Sequence, residues 1–262
     1  MSLRLETGRI FRFHLALIVL LGVAHLIVWV AQVRGHPYLR GLNPMFNMNR
    51  ENNAPAAFSG FALLAAAALL FVTARRQRLR PASDSGATRS WAILGVVFVL
   101  LAFDEVMALH ENVRGWLPAG LMATGRWHYA WVGPYVAATL LLGTLLFRFW
   151  YRLPEPTRTR LAVAGAVFVG GAAGLEVVAG FLGHAYGRTS LVYGIEVWLE
   201  ESLEMLGVAL LIRAVLDFDS AAAAERPDAR GAARGMTFQF RTGRDRRQLT
   251  YDRRGSAKAS RS

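Results

Sequence analysis

Six apolar blocks separated by short polar connections constrain this chain more than any other feature of its sequence. They run Ile10–Val33, Ala56–Thr73, Ser90–His110, Tyr129–Phe149, Leu161–Leu182 and Leu191–Val215. Each is roughly 20 residues long, enough for an α-helix to cross a hydrocarbon core about 30 Å thick. Lipid offers backbone N–H and C=O groups no partner, so such blocks are expected as helices packed on one another. The expected fold class is an all-α integral membrane protein: a six-transmembrane-helix bundle over residues 1–218, with a basic, largely disordered tail over 219–262. Composition agrees, with 54% of residues apolar and 18% charged, against about 25% charged in a soluble domain.

Arg4, Arg9 and Arg12 introduce the first block as they would a signal peptide. The apolar run is too long for one and no small-x-small cleavage site follows it, so a signal anchor is expected. Lys and Arg then divide unevenly between alternate connections. The side holding both termini carries 24 of them and the other side six, Arg34, Arg40, Arg50, Arg114, Arg126 and Arg188. The positive-inside rule places both termini in the cytoplasm, the expected location being the inner cell membrane with multiple passes. Topology and tail thereby account for the net charge of +12. The partner this implies is membrane lipid, through anionic headgroups at the basic face, and not nucleic acid. A membrane-protein partner and the oligomeric state stay open. The tail is rich in Ala, Arg, Gly and Asp, a composition that does not support a packed core. Only Met236–Phe240 and Gln248–Tyr251 alternate apolar and polar residues, as a marginal hairpin would around Thr-Gly-Arg-Asp.

An ionisable side chain at the centre of a membrane helix costs about 2.5–3.5 kcal/mol, so each needs a partner or a water-filled cavity. The third block ends on Asp104, Glu105, His110 and Glu111. Asp104 and Glu111, seven residues apart, fall on one helix face. The fifth block carries Glu176, Gly180 and His184 at i, i+4 and i+8, one stripe, preceded by Gly170-x-x-x-Gly174, a spacing that admits a neighbouring helix. In the sixth, Glu196, Glu200 and Glu204 form a stripe with Glu201 at its edge. With the third and fifth blocks running outward and the sixth inward, all three clusters lie at one depth in the extracytoplasmic half. His36, His128, Tyr129 and the asparagines at 43, 47, 49, 52 and 53 add polarity at that level.

Carboxylates converging from several helices, joined by histidine, are what a divalent metal ion requires. Oxygen ligands suit Mg, Ca and Mn, and added imidazole suits Fe or Zn. The expected ligand set is Asp104, Glu105, His110, Glu111, Glu176, His184, Glu196, Glu200, Glu201 and Glu204, and the expected cofactor a divalent metal ion, Fe, Mn or Zn. Such a site would serve a membrane-embedded enzyme acting on a lipid-like or quinone-like substrate. The same carboxylates also suit a cation- or proton-coupled transporter, and a non-catalytic subunit or assembly factor stays open as well. Arg114, Arg126 and Arg188 offer a blander account, a structural ion-pair network without metal. His25 is expected as a hydrogen-bonded core residue and His14 as interfacial. Trp91, Trp116, Trp127, Trp131, Trp150 and Trp198, near block ends, read as an aromatic belt.

Several chemistries are excluded. With no cysteine there is no disulfide, thiolate ligand or thiol nucleophile, and with Lys258 in the tail as the one lysine there is no retinal Schiff base. Glu-x-x-His di-iron motifs, histidine boxes, a Gly-x-Ser-x-Gly elbow, a P-loop and zincin motifs are absent.

Overall fold

The computed structural model describes residues 3–80, 84–109, 132–224, 248–251 and 257–260. The chain divides into two units, Met1–Asp219 and Ser220–Ser262. In the first unit the described regular elements are all helical: α1 (Leu3–Val33), a 3-10 turn (Leu39–Gly41), α2 (Leu42–Phe46), α3 (Ala54–Arg78), α4 (Ser85–Met107) and α5 (Val132–Arg152). They continue with α6 (Glu155–Val169), a π-helical segment (Gly170–Leu175), α7 (Glu176–Tyr186) and α8 (Leu191–Ala224), whose last turn enters the second unit. In the second unit, β1 (Gln248–Tyr251) pairs antiparallel with β2 (Ala257–Ser260). The alternating segment Gln248–Tyr251 is thus a strand, but its partner follows it in sequence. Met236–Phe240 lies outside the described residues.

Among the described residues five helical stretches are long and apolar enough to cross a membrane: Glu6–Val33, Ala54–Arg78, Ser85–Met107, Val132–Arg152 and Glu155–Tyr186. The last runs unbroken through α6, the π segment and α7. The sixth expected block falls in α8, a helix of 34 residues; its glutamates set it apart from the five by composition, not by length.

Local chemistry fixes several helix ends. Asn53 caps α3, its side-chain oxygen accepting from Ala56 N at 3.1 Å ahead of Pro55 in the first turn. Asp84 caps α4 through Gly86 N at 2.8 Å. α4 ends earlier than the apolar pattern implies, at Met107, where Ala108 turns into the left-handed region at φ 48°.

α8 is the central element. It meets α1 where Gly194 lies under the Trp29 indole and Gly22 under that of Trp198. It meets α6 at Gly207, where an added Cβ would lie 2.6 Å from that of Phe168. At one end of the bundle, rich in arginine, α3, α4, α5 and α8 enclose a dense apolar core. Leu70, Trp91 and Val215 there are fully buried, and Trp91 packs against Phe149 and Phe218 at ring separations of 5.1 and 5.2 Å. Trp91 is therefore a core residue and not part of an aromatic belt, fully buried in one cluster with Leu70, Ala74 and Val215. Trp198 likewise packs inward on Gly22, whereas Trp150 donates to Arg158 O at 3.0 Å at the helix end. Trp116, Trp127 and Trp131 lie outside the described residues. The core is clasped by Asp219, whose carboxylate accepts from Thr73 Oγ1 at 3.0 Å and Arg76 at 2.8 Å.

The opposite end is polar. The loop after α1 folds back on the bundle through an amide ladder in which Asn43 donates to Gln32 at 2.9 Å, Asn47 to Asn43 at 3.2 Å, and Asn53 to the carbonyls of Asn47 and Arg50, both at 2.7 Å. His25, fully buried, joins loop to bundle: Met48 N–H donates to its Nδ1 at 3.0 Å, so the ring is the neutral tautomer donating from Nε2 to Gly194 O at 3.1 Å. This is the core role expected for it. His14 sits half-buried, bonded to Ile10 O at 2.9 Å.

Candidate functional site

A cavity of about 260 Å³ opens at the polar end. Its walls come from the C-terminus of α4 (Asp104, Glu105), the start of α5 (Tyr135), the π segment with the first turn of α7 (Ala172, Ala173, Glu176), and the first half of α8 (Glu200, Glu201, Glu204). Met48, Asn49 and Glu51 of the loop complete it. Of the expected site residues the structure brings Asp104, Glu105, Glu176, Glu200, Glu201 and Glu204, from three blocks, around this one cavity.

The sequence Gly-Gly-Ala-Ala-Gly-Leu accounts for the space. Through the π segment the wall has almost no side-chain bulk, and the i→i+5 pattern shifts the phase of the helix just before Glu176. Gly171 lets this wall reach α8, since a Cβ there would lie 3.0 Å from Glu200 O and 3.2 Å from Glu204 N. This corrects the spacing argument: added Cβ atoms at Gly170 and Gly174 would meet nothing within 4 Å. The inserted π register turns the intervening glycine toward the neighbour.

Glu176 and Glu200 approach within hydrogen-bonding reach of one another. Two carboxyl groups so placed hold either a shared proton or a cation between them. Glu196, one turn before Glu200, is 4% exposed, faces Glu176, and has no hydrogen-bond partner for either oxygen among the described residues. It backs the cavity wall and does not line the cavity. Tyr135 donates to Asp104 Oδ1 at 3.4 Å. Arg188 lines the mouth with its guanidinium 6.0 Å from the centre of the Tyr193 ring.

Two expected members lie elsewhere or beyond description. His184 is exposed and lines no part of the cavity. Eight residues from Glu176 its direction has drifted by about 80° and its Cα stands about 12 Å further along the axis. His110 and Glu111, with Arg114, Arg126, His128 and Tyr129, lie outside the described residues. Among the described residues no three Asp, Glu or His side chains are grouped so as to hold one metal ion. Asp104, Glu105, Glu176, Glu200, Glu201 and Glu204 surround a space and do not converge on a point.

The sequence reading did not include Glu51, Tyr135 or Tyr193, and it placed Arg188 only as a neutralising charge. Glu51 carried a signal, being the one acidic residue between Glu6 and Asp84 and following a run of asparagines. Tyr135 and Tyr193 carried none, since each sits in an apolar run.

No curated protein and no solved structure matches the chain. A family described as a domain of unknown function, DUF8692, matches residues 14–218, covering the helical unit with its cavity, and the chain belongs to this family.

Proposed function

We propose that the chain is a six-span inner-membrane protein with both termini in the cytoplasm, whose acidic cavity opens on the extracytoplasmic side and binds a cation. The contact between Glu176 and Glu200 carries this reading, since it needs a positive charge between or upon the two groups. The wider lining supports it, with seven carboxylates and one arginine among the described residues. α8 supplies the sixth span: at about 1.5 Å per residue its apolar part exceeds the thickness of the bilayer core, and the cavity accommodates its glutamates. The arginine asymmetry supports the orientation.

The arginine-rich end is filled by the apolar core around Leu70, Trp91 and Val215. Carboxylates gathered at one end, with an apolar core at the other, favour a site that binds and acts on a ligand, as in an enzyme with a lipid-like or quinone-like substrate, over a transport pathway. Glu105, Glu176, Glu200 and Glu204 offer oxygen donors of the kind Mg and Mn take, set around the cavity and not grouped about one point among the described residues.

Calorimetric titration of the detergent-purified chain tests the reading. A saturable cation signal that weakens at least tenfold in a folded Glu200→Gln/Glu204→Gln variant is expected; equal binding by both proteins would overturn it. Orientation is open to single-cysteine labelling, since the chain has no native cysteine. Ser190→Cys should react with impermeant maleimide from outside whole cells and Ser85→Cys should not.

A further inference from the structure

We propose that residues 47–52 form a lid over the cavity and that His25 is the latch that holds it closed. The inference concerns how the cavity is reached and stands apart from what the cavity holds.

The make-up of the wall argues first. Among the described lining residues all but Met48, Asn49, Glu51 and Arg188 belong to helices. A packed helix leaves a wall only by giving up contacts along its length, whereas a loop held by a few hydrogen bonds opens at much smaller cost. The stretch is also thin. Asn49 both lines the cavity and is exposed, so a single layer of chain separates inside from outside there. Glu51 reaches across to within electrostatic range of Glu201 on α8.

The ends of the stretch are fixed posts. Asn43 is tied to Gln32 of α1 at 2.9 Å, and Asn53 caps α3. The remaining bonds of the amide ladder join Asn47, Asn49 and Arg50 to one another and to these posts, so the stretch keeps its shape as one piece. Asn52, in the left-handed region at φ 59°, supplies a hinge beside the α3 cap.

Between the posts, Met48 meets the bundle. Its side chain lies in one apolar cluster with Trp29, Tyr193 and Val197, a contact that a flexible thioether adapts readily. Its N–H donates to His25 Nδ1 at 3.0 Å. The imidazole accepts there only in the tautomer with its proton on Nε2, and Gly194 O, at 3.1 Å, fixes that tautomer. A fully buried ring with both nitrogens engaged is more than packing requires. Trp29, 5.6 Å from the His25 ring, donates to Ser190 O at 3.0 Å in the turn that carries Arg188. α1 therefore holds both non-helical parts of the rim, the lid through His25 and the Arg188 turn through Trp29.

Thiol accessibility tests the latch, in a chain with no native cysteine. Ala173→Cys places a thiol on the cavity wall, and Ala67→Cys places one in the buried core at the arginine-rich end. Each is made with His25, with His25→Phe, which keeps a ring against Trp29 and removes both hydrogen bonds, and with His25→Gln, whose amide retains a donor and an acceptor. The rate of modification by a small methanethiosulfonate is read on the detergent-purified full chain. His25→Phe should speed modification of Ala173→Cys at least tenfold and leave Ala67→Cys within about twofold, with His25→Gln closer to the native rate. Equal rates at Ala173→Cys would overturn the latch, and so would an equal rise at both thiols, which marks general loosening. Hydrogen exchange of the unsubstituted chain decides the matter even where a variant does not fold. The hydrogen-bonded Met48 and Asn49 amides should exchange at least tenfold faster than the core amides of α1 and α8 around Val28 and Met205; exchange in step with those helices would overturn the lid. Neither readout involves a bound ion, so failure here leaves the cation reading standing.

Discussion

The two ends of the bundle treat buried charge in opposite ways. At the arginine-rich end the buried acid Asp219 accepts from Thr73 and Arg76, and the helices around it pack into a dense apolar core that includes Trp91. At the other end acids are gathered around a space, and Glu196 is buried with no described hydrogen-bond partner. A pairing that satisfies each polar group makes a static clasp. A buried carboxyl without a described hydrogen-bond partner, as at Glu196, costs stability that an apolar group in its place would not. The contrast identifies which end is held by satisfied contacts and which carries the cavity.

Substitutions of similar kind should have opposite effects at the two ends. The largest change is expected from Trp91→Ala. Removing a fully buried indole that touches Phe149 and Phe218 should cost about 3–5 kcal/mol in reversible detergent unfolding. A cost below about 1 kcal/mol would show that this end is not the rigid one. Asp219→Ala should cost about 1–3 kcal/mol, because Thr73 Oγ1, fully buried, loses its acceptor; Arg76 is half-exposed and contributes little. At the other end Glu196→Met should raise stability by about 1 kcal/mol, since an apolar side chain of similar volume replaces a buried carboxyl without a described partner. If Glu196→Met destabilised the protein as Asp219→Ala does, the contrast between the ends would fail, and Glu196 would have to be held by residues beyond those described.

Much of this organisation was legible in the sequence. Apolar length gave helices, because lipid leaves the backbone no alternative. The placement of Asp104, Glu105, Glu176 and the α8 glutamates within their blocks gave a common depth, because a helix converts residue number into height at a fixed rise. His184 shows the limit of that reasoning: rise and rotation accumulate together, and eight residues carry a side chain out of the site. The π segment shows another, since a single inserted residue changes which glycine meets the neighbouring helix, and nothing in Gly-Gly-Ala-Ala-Gly fixes where the insertion falls.

The sequence by itself determined that long apolar helices dominate the chain, five of them among the described residues long and apolar enough to cross a membrane, and that carboxylates from separate helices lie at one level. These are one-dimensional properties, set by hydropathy and helix rise. Only the tertiary structure decided that the carboxylates surround a cavity and do not converge on a point, and that Glu51, Arg188, Tyr135 and Tyr193 belong to it. It also decided that Glu196 stands behind the wall and that Trp91 seals the opposite end. Those outcomes depend on helix rotation and on the close approach at Gly171 and Gly207, which arise from packing between elements distant in sequence and leave no trace in the pattern of any one of them.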